Sequence, residues 1–304
     1  MDGSPPHIFD QHARSLGPGI HHLPPAFTTL NGKVGNVLTG LGIASHERVV
    51  IADDDVRYDR DTLARMHDLL QSADVVRPQN YFDPLPWHAC WDTARSLLNR
   101  MTGGDWPGTL GVRRSVLQRS GGYRGDVLFE NLELVRTIKA AGGTEAVPLD
   151  LFVRRSPSST RHFLSQRVRQ AYDEMARPWR FVVFLLVLPA LALLILARRW
   201  AAAVSMILSP VAIAELGRRR AGGRHVFPAV ASPAAPVWVV ERSACTWLAL
   251  GARLFLGGVP YRRSVLRTAA SSDRELRRRH SGARLAEDLP GKRCDVMPLG
   301  VHAS

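Results

Sequence analysis

Between residues 31 and 141, hydrophobic residues at helical spacing alternate with short continuous apolar runs. Val34, Val37, Leu38 and Leu41 recur at helical spacing, and the apolar run at residues 48 to 52 has the length of a buried strand. Helices that alternate with short strands indicate an α/β fold, with βαβ units on a mostly parallel sheet. The same alternation predicts helices at 61–72, 86–102, 113–118 and up to residue 141, with strands at 73–78 and 109–112.

The first 30 residues show no such period. They are rich in Pro, Gly and His, and this composition predicts an irregular segment. The amino terminus has neither the positive charge nor the apolar run of a signal peptide. We therefore expect the α/β region to stay in the cytoplasm.

Two long apolar stretches follow the α/β region, at residues 181 to 197 and 200 to 216. Each is close to the about 17 to 25 residues that a helix needs to span a bilayer. A buried hairpin in a soluble core is the alternative, but the first stretch has no polar face and lies between Arg180 and Arg198. The pattern therefore favours a transmembrane hairpin over residues 177 to 220.

A third apolar stretch, at residues 237 to 256, contains Glu241, Arg242 and Arg253, which are costly at a bilayer centre. A third crossing would also export the arginine-rich tail, against the preference of positive charge for the cytoplasmic side. We expect an interfacial or re-entrant region at 221–268 and a basic, poorly ordered tail at 269–304. The prediction is a multi-pass protein of the plasma membrane.

The net charge of the chain bears on whether it binds a membrane or nucleic acid. The 304 residues carry a formal net charge of +13, almost wholly from arginine, since only three lysines occur. A high-GC coding bias toward Arg and Ala explains this excess about as well as a functional role does. Much of the charge lies after residue 197 beside apolar segments, which favours a membrane over nucleic acid as partner. The three cysteines are too widely spaced to indicate a zinc site or a disulfide framework.

An acidic triplet, Asp53-Asp54-Asp55, directly follows the apolar run at residues 48 to 52. Alternate carboxylates, Asp53 and Asp55, are thereby delivered to the carboxyl edge of a sheet, where open α/β folds bind ligands. Two carboxylates, a diphosphate and waters complete an octahedral shell for Mg²⁺ or Mn²⁺. On its own the triplet is also typical of a helix cap or a solvated loop.

Further motifs lie in order around the triplet. Asn31-Gly32-Lys33 opens the helix before it, Gly121-Gly122-Tyr123 and residues 129 to 134 follow it, and Gln166-Arg167-Val168-Arg169-Gln170 precedes the first apolar stretch. In this order they resemble the Gly-Lys, Asp-x-Asp, Gly-Gly-Phe, Glu-Asp-x-x-Leu and Gln-x-x-Arg-Trp motifs of family-2 glycosyltransferases. The resemblance is to membrane-anchored members, of the ceramide-glucosyltransferase-like and cellulose-synthase-like type, and covers roughly residues 31 to 200.

The resemblance implies a GT-A domain at residues 31 to 176 that transfers a sugar from a nucleotide-diphospho-sugar, with inversion, to a lipid or membrane-delivered acceptor. It implies Asp53 and Asp55 as metal ligands and Glu130 as the base that deprotonates the acceptor hydroxyl, with Glu133 the second choice. Trp106, in a glycine-rich loop that looks exposed, is a candidate for stacking on a sugar, with a core position as the alternative. The donor- and acceptor-binding candidates are Lys33, Asp54, Trp106, Gln166 and Arg169.

The sequence departs from the family in three places. Asn131 stands where the family has an aspartate, and asparagine cannot take a proton at neutral pH. Gln170 replaces the tryptophan of the last motif, and nothing before Asn31 matches the strands and the Asn-Glu loop that grip the nucleotide. A GT-A domain truncated at its amino-terminal side is therefore expected. An inactive membrane scaffold is the alternative outside enzymes, and a metal-dependent phosphotransferase or hydrolase is the alternative within them.

Overall fold

The computed structural model describes residues 1–261 and 264–287. Its helices are α1 (Pro6–Ser15), α2 (Gly32–Ile43), α3 (Arg60–Leu69), α4 (Trp87–Met101), α5 (Arg114–Arg119), α6 (Glu130–Ala140), α7 (Thr160–Ser165), α8 (Arg167–Tyr172), α9 (Pro178–Leu196), α10 (Trp200–Arg219), α11 (Ala235–Phe255) and α12 (Asp273–Glu287). Its strands are β1 (Arg48–Ala52), β2 (Val56–Arg57), β3 (Val75–Val76), β4 (Gln79–Phe82), β5 (Thr109–Arg113), β6 (Glu145–Ala146), β7 (Phe152–Arg155), β8 (Val259–Tyr261) and β9 (Ser264–Leu266). Short 3-10 helices lie at Asp173–Ala176, Arg220–His225 and Ala229–Ala234.

The central sheet has four strands in the order β1, β5, β3 and β6. β5 runs antiparallel to both of its neighbours, and only β3 and β6 pair in parallel. The prediction of a mostly parallel sheet is therefore wrong. The loop after α4 returns the chain to the carboxyl end of β1, where Ala52 pairs with Thr109, so β5 runs back along β1. A short apolar run carries no information about strand direction, because its burial is the same either way.

Helices cover both faces of the central sheet, which confirms the α/β class. Leu110 and Val112 of β5 pack on one face with residues of α2, α5 and α6. Gly111 lies between them on the opposite face, as the alternation along a strand requires. A Cβ at Gly111 would overlap Met66, so α3 lies directly against the sheet.

A second sheet places the acidic triplet at a junction. Its three strands lie in the order β2, β7 and β4, with β2 antiparallel and β4 parallel to β7. β1 belongs to the central sheet and β2 to the second one. Asp53, Asp54 and Asp55 therefore form the connection between the two sheets.

α9 and α10 form two successive helices that are long and apolar enough to cross a membrane. Only 6% of the apolar window of α9 is buried inside the protein. Each helix has an interior proline, which leaves the carbonyl four residues earlier without its helical donor. Trp247 of α11 donates to the Leu185 carbonyl at 3.1 Å, and Ser209 donates to the Met206 carbonyl at 3.2 Å. Both carbonyls freed by the prolines thus have partners.

α11 lies between α9 and the α/β domain, where it packs against α4 and α8. Two of its charged residues face protein: Arg167 donates to Glu241 Oε2 at 2.5 Å, and Arg242 is only 2% exposed, whereas Arg253 is exposed. The Arg242 guanidinium also stacks over Trp238 at 5.1 Å from the ring centroid, while its Nε and Nη1 have no hydrogen-bond partner in the described residues. An interfacial or re-entrant placement of this region in a membrane stays a prediction.

Helices occur in the segment predicted to be irregular, residues 1 to 30, and in the described part of the segment predicted to be poorly ordered, residues 269 to 304. In the first 30 residues, α1 begins at Pro6, where the missing N–H costs no helical hydrogen bond. Asp2 holds this segment together, since its Oδ2 lies 2.7 Å from His12 and 2.9 Å from His22. In the carboxyl-terminal segment, α12 packs on α6, and residues 288–304 lie outside the described part of the chain.

Candidate active site

Backbone hydrogen bonds hold the acidic triplet at both ends. The Asp53 amide donates to the Gly108 carbonyl at 2.8 Å, which extends the pairing of β1 with β5 by one residue. The Ser156 amide donates to the Asp55 carbonyl at 2.8 Å, just beyond β7. The triplet is therefore fixed to both sheets, while the side chain of Asp54 between the other two aspartates is exposed.

Lys33 joins the triplet to the first turn of α6. Its Nζ lies 2.7 Å from Asp53 Oδ1 and 2.8 Å from Glu130 Oε1. Burial by itself lowers the pKa of the Lys33 ammonium, but the charges of Glu130 and Asp53 outweigh burial and hold this pKa above its ordinary value. Three residues from separate sequence motifs thus form one charged contact.

Asn31 explains why Lys33 is presented at this point. It caps α2, because its side-chain Oδ1 accepts from the Lys33 amide at 3.2 Å. Its Nδ2 donates to the Val127 carbonyl at 2.9 Å, which ties the start of α2 to the segment before α6. The Asn-Gly-Lys motif is therefore a helix start whose cap also anchors the neighbouring chain.

Arg155, the last residue of β7, lies against the other side of the triplet. Its Nε is 2.7 Å from Asp55 Oδ2, and its Nη2 is 3.5 Å from Asp53 Oδ2. Lys33, Arg155, Asp53, Asp55 and Glu130 together form what we call the charge cluster. Two cations face three carboxylates there, so the formal net charge of these five side chains is −1.

A cavity of about 110 Å³ opens beside Asp55, and we call it the Asp55 cavity. Gln166 and Gln170 line it together with Asp55 and Arg155. Arg167, between the two glutamines, is buried and donates to Gln170 Oε1 at 2.9 Å. The structure therefore places Gln166 and Gln170 in the wall of the cavity that Asp55 also lines, and a role of Gln166 in binding donor or acceptor stays a prediction.

Arg169 lies apart from the charge cluster but is connected to it. Its guanidinium stacks over the ring of Tyr261 at 4.7 Å from the centroid. The Tyr261 hydroxyl donates to Asn31 Oδ1 at 3.1 Å, at the cap of the helix that carries Lys33. Among the described residues, Arg169 forms no ion pair with Asp53, Asp54 or Asp55. Its predicted role in binding a diphosphate therefore stays a prediction.

Asp173 is an acidic group near Glu130 that sequence reasoning did not consider. Burial, followed by the charge of Glu130, raises the pKa of Asp173 to about 8, against the opposing effect of Arg177 and Arg169. Its Oδ1 is buried and has no hydrogen-bond partner in the described residues. Asp173 is therefore mostly protonated at neutral pH and adds no full charge beside Glu130.

Two candidates lie outside the charge cluster and the Asp55 cavity: Glu133 is buried, and Trp106 lines a different cavity, of about 630 Å³, beside α6 and α12. Glu133 is 0% exposed, and its Oε2 accepts from the Ser271 amide at 2.6 Å, so it holds the segment before α12 rather than facing a substrate. Trp106 packs edge-to-face on Phe129, with Arg77 stacked at 4.1 Å from its centroid. The loop that carries it is not exposed, since Asp105 is fully buried and bonded to α4.

The residues of the triplet fit a divalent cation by the chemistry of their donors. Asp53 and Asp55 supply hard carboxylate oxygens, and Asp55 Oδ1 is buried without a hydrogen-bond partner in the described residues. Among the described residues no group of three or more His, Cys, Asp or Glu side chains could hold a metal by itself. A cation at these two aspartates would therefore take its remaining ligands from water and from a bound phosphate.

Arg155 and Gln170 are the site residues that sequence reasoning missed. Arg155 gave a weak signal, because it is the second of two arginines that follow the short apolar run at residues 151 to 153, as the triplet follows the run at residues 48 to 52. Its pairing opposite Val56, the residue after Asp55, is a tertiary contact between β2 and β7. Only the register of the second sheet shows that these two chain segments meet.

Comparison with protein-family models and with curated proteins gave no match. Among solved structures, the chain is similar to the mannosyltransferase PcManGT from Pyrobaculum calidifontis, determined in complex with GDP-Man and Mn²⁺. The two chains share 18% identity over 95% of this chain and 76% of that one, with a TM-score of 0.41. A likeness of this degree establishes neither a shared fold nor a shared activity, so function is inferred from the side chains of the site.

Proposed function

We propose that this chain is a membrane-anchored, metal-dependent glycosyltransferase that moves a sugar from a nucleotide-diphospho-sugar to a lipid or membrane-delivered acceptor. The observation that carries the proposal is the charge cluster. Lys33, Asp53 and Glu130 come from three separate motifs, and the Lys33 ammonium lies 2.7 Å from the Asp53 carboxylate and 2.8 Å from that of Glu130. A solvated acidic loop would not be paired in this way.

The donor's diphosphate is assigned to the side of the cluster where Asp53 and Asp55 present carboxylates. A divalent cation bound there would neutralise charge that develops on the nucleotide diphosphate as it leaves. Lys33 and Arg155 place two further positive charges within reach of the same phosphates. The triplet lies at the junction of the two sheets, so its backbone is held in place between them.

Glu130 is our candidate for the base. Asn131 beside it is excluded from that role, because its side-chain amide donates to the Pro107 carbonyl at 2.9 Å. An ionised aspartate at position 131 could not donate this hydrogen bond to the Pro107 carbonyl. Asn131 therefore fixes the loop that contains Gly108, which lies against Asp53. Glu130 would take the acceptor's hydroxyl proton as the hydroxyl attacks the anomeric carbon, with inversion.

The acceptor is assigned to the membrane side of the domain, at the wall of the Asp55 cavity that Gln166 and Gln170 form, which leaves the Arg155 wall to the donor. Gln166 and Gln170 offer amide groups to hydroxyls there. α9 follows directly after α8 and the short helix Asp173–Ala176, so the cavity wall and the apolar helices are joined by a short connection. A plasma-membrane position with the catalytic domain in the cytoplasm is the arrangement we propose.

The test is transfer of label from nucleotide-sugars into the lipid extract of membranes that contain the chain. We expect label to enter the extract with Mn²⁺ or Mg²⁺ and to be lost with EDTA. Asp55→Ala and Glu130→Gln are expected to lower transfer by about a hundredfold or more. Asp68→Ala and Glu275→Gln remove exposed carboxylates elsewhere and should transfer at the level of the unaltered chain.

The outcomes separate the alternatives. Undiminished transfer by Asp55→Ala or by Glu130→Gln, at equal protein level, contradicts the role of that residue. Release of free sugar without labelled lipid favours a hydrolase. No product from any nucleotide-sugar would favour an inactive scaffold.

A further inference from the structure

Arg155 contacts the carboxylates of both aspartates that would hold a cation. Its guanidinium contacts Oδ2 of Asp55 at 2.7 Å and Oδ2 of Asp53 at 3.5 Å. Lys33 holds Oδ1 of Asp53. Of the four carboxylate oxygens of these two aspartates, only Asp55 Oδ1 has no hydrogen-bond partner in the described residues.

We propose that Arg155 and a divalent cation compete for the carboxylates of Asp53 and Asp55, and that the guanidinium released by the cation binds the diphosphate of the donor. The inference rests on the proposed function, because it presupposes a cation and a diphosphate at this site. Arg155 would pair with the aspartates before the cation binds and with the diphosphate after the donor binds.

The competition follows from charge. A guanidinium and a divalent cation repel each other strongly at bonding distance, and the two aspartates cannot satisfy both with the same oxygens. Once a cation has taken these oxygens, Arg155 needs another anion. A diphosphate is well suited, since the planar fork of arginine binds two phosphate oxygens at once.

The surroundings of Arg155 leave room for movement toward the Asp55 cavity. A Cβ at Gly108 would lie 3.1 Å from the Arg155 Cζ, so the loop before β5 closes one side. On the other side the residue lines the Asp55 cavity. The backbone is held by pairing of β7 with β2 and β4, so the side chain can turn into the cavity while the strand stays in place.

The experiment measures Mn²⁺ binding by electron paramagnetic resonance on the full-length protein in detergent, first with Mn²⁺ alone and then with inorganic pyrophosphate. We expect Arg155→Gln to bind Mn²⁺ alone about tenfold more tightly than the unaltered chain, because a competitor has been removed. We expect the same variant to bind pyrophosphate, at saturating Mn²⁺, about tenfold more weakly, because a phosphate ligand has been lost.

Arg154→Gln is the matched control, with the same change of charge on the next residue. Arg154 is half exposed and lies 3.5 Å from Asp83, on the other face of the strand, so both affinities should stay unchanged. A purely structural role for Arg155 would weaken both binding events in Arg155→Gln.

Three results decide the matter. Opposite changes in the two affinities support the inference. Unchanged or weaker binding of Mn²⁺ alone by Arg155→Gln overturns it, while the proposed function stands if Asp55→Ala loses Mn²⁺. Absence of Mn²⁺ binding in both the unaltered chain and Arg155→Gln overturns the metal site, and the proposed function with it.

Discussion

At the scale of single residues, uncharged groups position the charged ones. Asn31 caps the helix of Lys33, and Asn131 holds the loop that ends at Gly108. Gly108 in turn lets this loop approach the triplet, since a Cβ there would overlap Asp53 Oδ2. The geometry of the charge cluster therefore depends on residues that carry no charge.

Gly108→Ala is expected to displace the Asp53 carboxylate without unfolding the domain. The added methyl group would overlap Asp53 Oδ2 and would lie close to Arg155. The Asp53 carboxylate can rotate away from it, at a cost of about 1–3 kcal/mol in stability. Mn²⁺ affinity and sugar transfer should both fall about tenfold or more. Gly42→Ala, at a helical position with nothing within 4 Å, is the control and should leave both unchanged; equal behaviour of the two variants would contradict this account.

Asp173 makes stability depend on pH. Its pKa is raised to about 8 in the folded chain, so the folded state binds the proton more tightly than the unfolded one. Its contribution to the free energy of unfolding is full below pH 4 and is lost as pH rises toward 8 and beyond. The melting temperature should therefore fall less between pH 5 and 8 in Asp173→Asn than in the unaltered chain, whereas the exposed Asp61→Asn should show the full decline. A decline in Asp173→Asn as steep as that of the unaltered chain would contradict the assignment.

At the scale of elements, the second apolar helix, α10, packs into the α/β domain. α10 packs closely on α4 near its carboxyl end, where Arg100 donates to the carbonyls of Gly217 and Arg220. Arg100 is fully buried, so these bonds and its stacking on Phe152 and Phe227 satisfy a cation inside the protein. The end of α10 is thereby fixed to the helix that also lines the Asp55 cavity.

Gly217→Ala tests this docking. A Cβ at Gly217 would overlap the Leu97 carbonyl of α4, and backbone cannot move away as a side chain can. The expected loss is about 1–3 kcal/mol of unfolding free energy, measured as a lower melting temperature in detergent. Gly251→Ala, on α11 with nothing within 4 Å, should keep or raise the melting temperature, because alanine favours a helix. An unchanged melting temperature for Gly217→Ala would show that α10 is not held in this way.

At the scale of the whole molecule, periodicity was enough to predict most elements, but not how they meet. The helix and strand around Asp53 and the helix that begins at Glu130 lie where the apolar pattern puts them. The reversed direction of β5 could not be predicted, because antiparallel and parallel pairing bury the same side chains. Arg155 was missed because its partners come from another strand, and Glu133 was misjudged because its partner, the Ser271 amide, lies 138 residues away.

The central claim is that Asp53 and Asp55 hold a nucleotide diphosphate through a divalent cation. Calorimetric titration of the full-length protein with nucleoside diphosphates, in Mn²⁺ and in EDTA, tests it most directly. The account predicts that at least one nucleoside diphosphate binds in Mn²⁺, and that binding is lost in EDTA and in Asp55→Ala. Equal binding by Asp55→Ala and the unaltered chain, or no binding of any nucleoside diphosphate, would contradict it.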